Sequence, residues 1–158
     1  MMQKPVCCGR PQAVSHVRGS AAYPLLSGTV QFFQTPCGVL VRAEICGLPH
    51  ADGPCAGRVF GFHIHTGCSC AGDRSDPFAD AMAHYNPCGC EHPQHAGDLP
   101  PLFENCGRAF SVVLTDRFRV SEIVGKTVII HANPDNFTTQ PSGNSGEKIA
   151  CGVICANC

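Results

Sequence analysis

Charge is scarce in this 158-residue chain. Only 15% of the residues are charged and the formal net charge is -1, so the chain carries no basic face large enough to hold nucleic acid or anionic lipid. No apolar run approaches the length that spans a bilayer, which excludes a transmembrane helix. The first residues, MMQKPVCCGRPQ, lack the continuous apolar stretch of a secretory signal, and as written the chain reads as cytoplasmic. Helical periodicity is nearly missing too, since Val120 to Val124 offers one turn at most. Neither an internal repeat nor a low-complexity tract stands out. The length suits one ordinary domain that buries its own core without needing a metal or a disulfide merely to fold.

Cysteine, by contrast, is abundant. There are thirteen, an odd number, so at least one thiol is free or paired between chains. In a chain without an export signal, metal binding, catalysis or plain reduced thiols fit better than a secreted disulfide framework. The doublet Cys7-Cys8 and the terminal CANC, Cys155 to Cys158, read as surface extras.

Along the chain, short β-branched or aromatic-rich runs alternate with Gly/Pro turns. Strands are expected at Ala13 to Val17, Ser27 to Gln34, Gly38 to Ile45, Val59 to His65, Ala109 to Thr115, Thr127 to His131 and Ile149 to Ile154. TPCG, Thr35 to Gly38, reads as a hairpin turn between two of them. The pattern predicts an all-β fold, an antiparallel β-sandwich or barrel, with residues 1–10 as a loose lead-in and 11–158 as the domain. Thr66 to Gly107 and Ala132 to Lys148 break the pattern as two long loops, and loops of that length are uncommon in a compact domain unless they are functional or disordered.

The polar chemistry concentrates in and beside these loops. In GFHIHTGCSC, Gly61 to Cys70, His63 and His65 are two apart on a strand and therefore point to one face, where they offer two imidazole nitrogens to one ion. AHYNPCGCEHPQHAGDLP, Ala83 to Pro100, adds His84, His92, His95 and Asp98, three neutral nitrogen donors and a carboxylate: the complement for a tetrahedral zinc site. His131 ends an apolar strand, where rigid backbone can aim it. Only His16 and His50 fall outside this group.

In this order the motifs resemble the Cu,Zn superoxide dismutases, bacterial-type members included, over roughly Leu26 to Ala156. GFHIH resembles the first copper motif, HYNP the bridging-histidine motif, HAGDLP the last zinc ligands, TVIIH the remaining copper strand, and GNSGEKIACGVI the end of the active-site channel with the final strand. The resemblance implies an antiparallel Greek-key β-sandwich or barrel, copper on His63, His65, His84 and His131, and zinc on His84, His92, His95 and Asp98. It gives His84, shared by both ions, the role of moving a proton during copper cycling, and superoxide as the substrate. Asp135 matches the carboxylate that links a copper-ligand histidine to a zinc-ligand histidine. Cys151 matches one half of the family's intrasubunit disulfide, with Cys70 as its partner and Cys68 as the neighbouring alternative. Imidazole suits both oxidation states of copper, while zinc does not change its own.

Three features depart from the family pattern. The channel arginine falls on Lys148, beside Glu147, which keeps the charge but loses the planar fork of donors and implies weaker steering of the anion. Only Pro93 and Gln94 separate His92 from His95, so both ligate only if the chain turns tightly there. Cys68, Cys88 and Cys90 stand near the histidines as soft competitors or as free thiols. Arg117 and Arg119, after a strand, read as solvated charges, and Gly143 and Gly146 as residues that allow tight loop packing. A copper- or zinc-sequestering protein on the same fold would use the same histidines. The family contains dimers and monomers, which leaves a homodimer open, and the implied disulfide prefers oxidising surroundings, so a truncated start would make the chain extracytoplasmic.

Overall fold

The computed structural model describes residues 9–53, 55 and 57–157. The lead-in, with Cys7 and Cys8, falls mostly outside the described residues, as does Cys158. Among the described residues nine strands follow in order: β1 (Ala13–Gly19), β2 (Ser27–Thr35), β3 (Gly38–Cys46), β4 (Val59–Phe60), β5 (Phe62–His65), β6 (Leu102–Phe103), β7 (Arg108–Thr115), β8 (Thr127–His131) and β9 (Lys148–Ala156). One helical turn, α1 (Val120–Ile123), precedes β8.

Seven strands form one antiparallel sheet in the order β5-β8-β9-β1-β2-β3-β7, and β4 pairs with β6 apart from it. The chain therefore crosses from one end of the sheet toward the other after β3, back after β5 and again after β7, the Greek-key signature. Alternation explains which face is inward. On β3, Val39, Val41, Ala43 and Ile45 are buried while Arg42 and Glu44 between them are exposed. Inward residues from both ends of the sheet, Val41 and Ile64 among them, belong to a single core with Phe32, Phe60, Phe62 and Ile130. Because those ends share one core, the sheet curls into a barrel-like sandwich. Fully burying each such large side chain stabilises by about 1.5–3 kcal/mol.

β5 and β8 differ from the other strands in being buried on both faces. Phe62, Ile64, Val128 and Ile130 face the core. His63, His65, Ile129 and His131 alternate with them and face outward, under the two long loops. Beneath the first loop, Ile129 packs with Phe78, Ala81 and Cys151 in a second small apolar cluster.

Two expected boundaries change. The run Val59 to His65 is split at Gly61, whose N–H donates to Asn133 O at 2.8 Å and whose carbonyl accepts from His131 N–H at 2.8 Å. A Cβ there would lie 2.9 Å from the Ser145 Cβ, so glycine is what allows the second loop to approach the barrel wall. The first loop also contains a strand, β6, too short to stand out by periodicity.

Candidate metal centre

Backbone pairing brings the histidine-bearing segments together. Ile64 N–H donates to Gly97 O at 2.9 Å and Tyr85 N–H donates to Ile64 O at 2.8 Å, so the first loop lies along β5. Isolated bridges accordingly set His65 opposite His84 and His63 opposite Asp98. In the β8–β9 ladder a bulge skips Ile149 and places Lys148 opposite His131.

Two four-residue sets result, His63, His65, His84 and His131 in one, and His84, His92, His95 and Asp98 in the other, with the candidate ligand atoms of each set within 4.8 Å of one another. His84 belongs to both. Its Nδ1 lies 2.8 Å from Asp98 Oδ1, and its Nε2, on the other side of the ring, is buried without a partner. The tight spacing from His92 to His95 does not prevent convergence, because His92 Nδ1 is 2.9 Å and His95 Nδ1 3.3 Å from Asp98 Oδ2.

On four of the six rings the outer nitrogen is fixed by a partner. His63 Nε2–H donates to Asp135 Oδ2 at 2.7 Å, and His92 Nε2–H donates to Asp135 Oδ1 at 2.8 Å. Asp135 Oδ1 also accepts from Phe137 N–H at 2.7 Å, so one carboxylate holds the turn of the second loop and both histidines. His65 Nδ1–H donates to Met82 O at 2.7 Å, and His131 Nδ1–H to Gly146 O at 3.2 Å. A carbonyl only accepts, which assigns these two tautomers and leaves each Nε2 a bare lone pair facing the set.

The fit to metal is testable on these inner atoms. His63 Nδ1, His84 Nε2, His92 Nδ1 and His95 Nδ1 are buried with no hydrogen-bond partner; among the described residues the other buried atoms of this kind are Ser15 Oγ and Thr127 Oγ1. An unpaired buried polar atom costs about 1–3 kcal/mol, and two such atoms in each set, His63 Nδ1 with His84 Nε2 and His92 Nδ1 with His95 Nδ1, fit one cation per set. One set is all imidazole, suited to copper; the other adds a carboxylate, suited to zinc.

Electrostatics keep the donors ready. Burial, reinforced by the neighbouring histidines, holds His65 well below its ordinary pKa and His131 down at about 3. Burial also lowers His63, against the pull of Asp135. For Asp135 and Asp98 burial pushes upward, but hydrogen bonds from His63, Phe137 and His92 on the one, and His84 with its neighbours on the other, outweigh it and keep both carboxyls below their usual range. Neutral imidazoles and ionised carboxylates are the forms that ligate.

Cys70 and Cys151 form a disulfide that joins the first loop to β9, and Cys68 is an exposed free thiol. Cys88 and Cys90 are exposed free thiols as well, outside both four-residue sets. A cleft of ≈ 670 Å³ leads to the centre past His65, His84, His131 and Lys148. A roomier groove of ≈ 1040 Å³ lies between the β2–β3 turn and α1, and no histidine lines it.

Arg117 overturns its reading as a solvated charge. Although the residue is exposed, its Nη1 donates to the carbonyls of Pro93, His95 and Asp98 at 2.9, 3.2 and 3.2 Å, clamping the segment that carries the ligand candidates His95 and Asp98 and follows His92. Nothing local in the sequence signals this, since the contacts span about twenty residues. Glu147 is not the carboxylate that meets Lys148 either: Tyr23 Oη–H donates to Glu147 Oε1 at 2.9 Å, and Lys148 pairs with Asp76.

A Greek-key β-barrel whose loops bring together an all-histidine set and a histidine–carboxylate set through one common imidazole defines a two-metal β-protein. Comparison with known proteins names the group. The copper/zinc superoxide dismutase family profile matches residues 26–154, and the chain belongs to that family. It is similar to the Cu-Zn superoxide dismutase of Legionella pneumophila, 36% identical over 139 residues (83% of this chain, 79% of the relative), and to that of Photobacterium leiognathi, 34% identical over 144 residues (80% and 78%). Among solved structures it resembles the Cu/Zn superoxide dismutase from Brucella abortus, with a TM-score of 0.74 and 26% identity, covering 89% of this chain and 98% of that one.

Proposed function

We propose that the protein disproportionates superoxide: two superoxide anions and two protons become one dioxygen and one hydrogen peroxide. The observation that carries this reading is His84, buried between two donor sets with one ring nitrogen toward each. The curated relatives are named as Cu-Zn superoxide dismutases, which supports dismutation and does not favour sequestration.

His63, His65, His84 and His131 would hold copper, and His84, His92, His95 and Asp98 zinc. Bound copper supplies the one-electron couple, and bound zinc a fixed positive charge. Asp135 keeps the His63 and His92 rings oriented, with each inner nitrogen free of its proton. His84 Nε2 is the atom at which a proton is taken up and returned to the departing peroxide, and Asp98 with its loop fixes that ring. Lys148 meets the anion at the cleft.

Residues 11–158 form the dismutase domain in this reading, with β1 opening it and β9 closing it. The Cys70–Cys151 bond favours an oxidising compartment, and among the described residues no helix is long and apolar enough to cross a membrane. The test is metal content per chain and superoxide consumption on one sample, before and after His131→Ala. One copper and one zinc with turnover that collapses in the variant is the expected result. Tight metal uptake without turnover would overturn the reading.

A further inference from the structure

Resting on that reading, an anion must enter a cleft whose charge balance is unfavourable to it. Among the described residues lining the cleft, Lys148 is the one lysine or arginine, while Asp76, Glu91 and Glu147 are carboxylates. Glu147 is engaged by Tyr23. Asp76 instead reaches across from the first loop and forms an ion pair with Lys148 Nζ.

This pair is built into the loop. Phe78 N–H donates to Asp76 Oδ1 at 3.0 Å, which leaves Oδ2 for the ammonium, and Lys148 Nζ donates a second bond to Phe78 O at 3.2 Å. The Lys148 side chain is 15% exposed, so water screens the contact only in part. An ammonium has three N–H groups. Two are committed to the loop, one remains for a ligand, and a carboxylate neutralises the charge in front of it.

We propose that Asp76 sets the anion selectivity and capture rate of the cleft by holding Lys148 as a closed ion pair, so that an incoming small monoanion competes with a resident carboxylate for the channel's cation. Asp76 is a positioning residue: it acts through Lys148 and touches neither the metal set nor the reacting atoms. The pairing explains the channel electrostatics through a residue about seventy positions away in sequence, not through Glu147.

Asp76→Asn removes the charge but retains an oxygen to accept the Phe78 N–H, so the loop turn is preserved. Asp76→Glu keeps the charge and serves as the control. Each copper- and zinc-loaded protein is assayed for superoxide kcat/KM from about 10 mM to about 0.5 M salt, over which exposed charges pass from weakly to strongly screened. Azide affinity is measured alongside by titrating the visible copper absorption. For Asp76→Asn the expected result is a rise of roughly 3- to 10-fold in kcat/KM at low salt, within the range that steering supplies. That gain should shrink as salt rises, and azide should bind more tightly in parallel, while Asp76→Glu stays near the unmodified protein. An unchanged salt slope together with unchanged azide affinity overturns the proposal. Should the unmodified protein bind both metals yet consume no superoxide, the dismutase reading fails, and the azide comparison still decides the role of Asp76. If Asp76→Asn does not load metal, Asp76→Ser, which also offers an oxygen to Phe78 N–H, is read against the same expectations.

Discussion

His65 and His131 face each other through Nε2 atoms 3.3 Å apart. Both rings spend Nδ1–H on a carbonyl, so the short separation sets two lone pairs against each other and is not a hydrogen bond. Such a pair is relaxed by a cation placed between the nitrogens. In its absence, burial is what keeps protons away.

This gives a pH dependence with a defined sign. His131 titrates in the folded chain at about 3 and His65 well below its ordinary value of 6.5, so between those limits the unfolded chain binds more protons than the folded one. Stability of the metal-free protein is therefore complete above about pH 6.5 and declines as pH falls toward 3, by about 1.4 kcal/mol per pH unit for each such histidine. Urea unfolding of metal-free protein from pH 8 to 4 checks the slope. A flat profile over that range contradicts it.

Gly143 lies with φ at +68°, and a Cβ on it would stand 2.0 Å from Asp135 Oδ1 and 2.7 Å from His92 Nε2. Gly143→Ala is expected to force that hydrogen bond apart and to add backbone strain of roughly 1–3 kcal/mol. Zinc release to a coloured chelator should speed up more than copper release, because the displaced ring is His92. Equal acceleration of both would point to general loosening instead.

The Arg117 clamp gives a third expectation. Arg117→Ala removes three hydrogen bonds from the Pro93–Asp98 segment, and zinc affinity should fall roughly 10- to 100-fold, the usual scale for residues that orient ligands without touching the ion. Arg117→Lys should recover part of the loss. Competition titration of zinc measures both variants, and no change in either removes Arg117 from the centre.

The disulfide spans 81 residues of sequence. In the chain-entropy account, closing a loop of that length restricts the unfolded state by about 4.5 kcal/mol. Cys70→Ser should lose stability on that scale in chemical unfolding. The variant should also weaken metal retention, since the tethered loop supplies Met82 O to His65. Loss of stability with metal retention unchanged would separate the tether from the centre.

How much of this was legible in the sequence depends on the range of each contact. Alternation in β3 and the HxH spacing of His63 and His65 are local, and they gave the strands and the shared face directly. Gly61 looked like part of a strand because its role lies in making room for Ser145, 84 positions on. β6 was too short for periodicity to register. Arg117 and Asp76 are ordinary polar residues in loops, and only folding sets one against the Pro93–Asp98 carbonyls and the other against Lys148. The proximity of the donor sets came from ordered motifs. The electrostatics of the cleft came from tertiary contacts that no motif encodes.

Asp135 grips one histidine from each set, and His84 is common to both. Occupying either set therefore changes the free energy of filling the other, and equilibrium linkage makes the change reciprocal: by whatever factor zinc alters the affinity for copper, copper alters the affinity for zinc. In a titration the chain would behave as one coupled receptor for a pair of ions, with its half-filled forms departing from the populations that two independent sites would give.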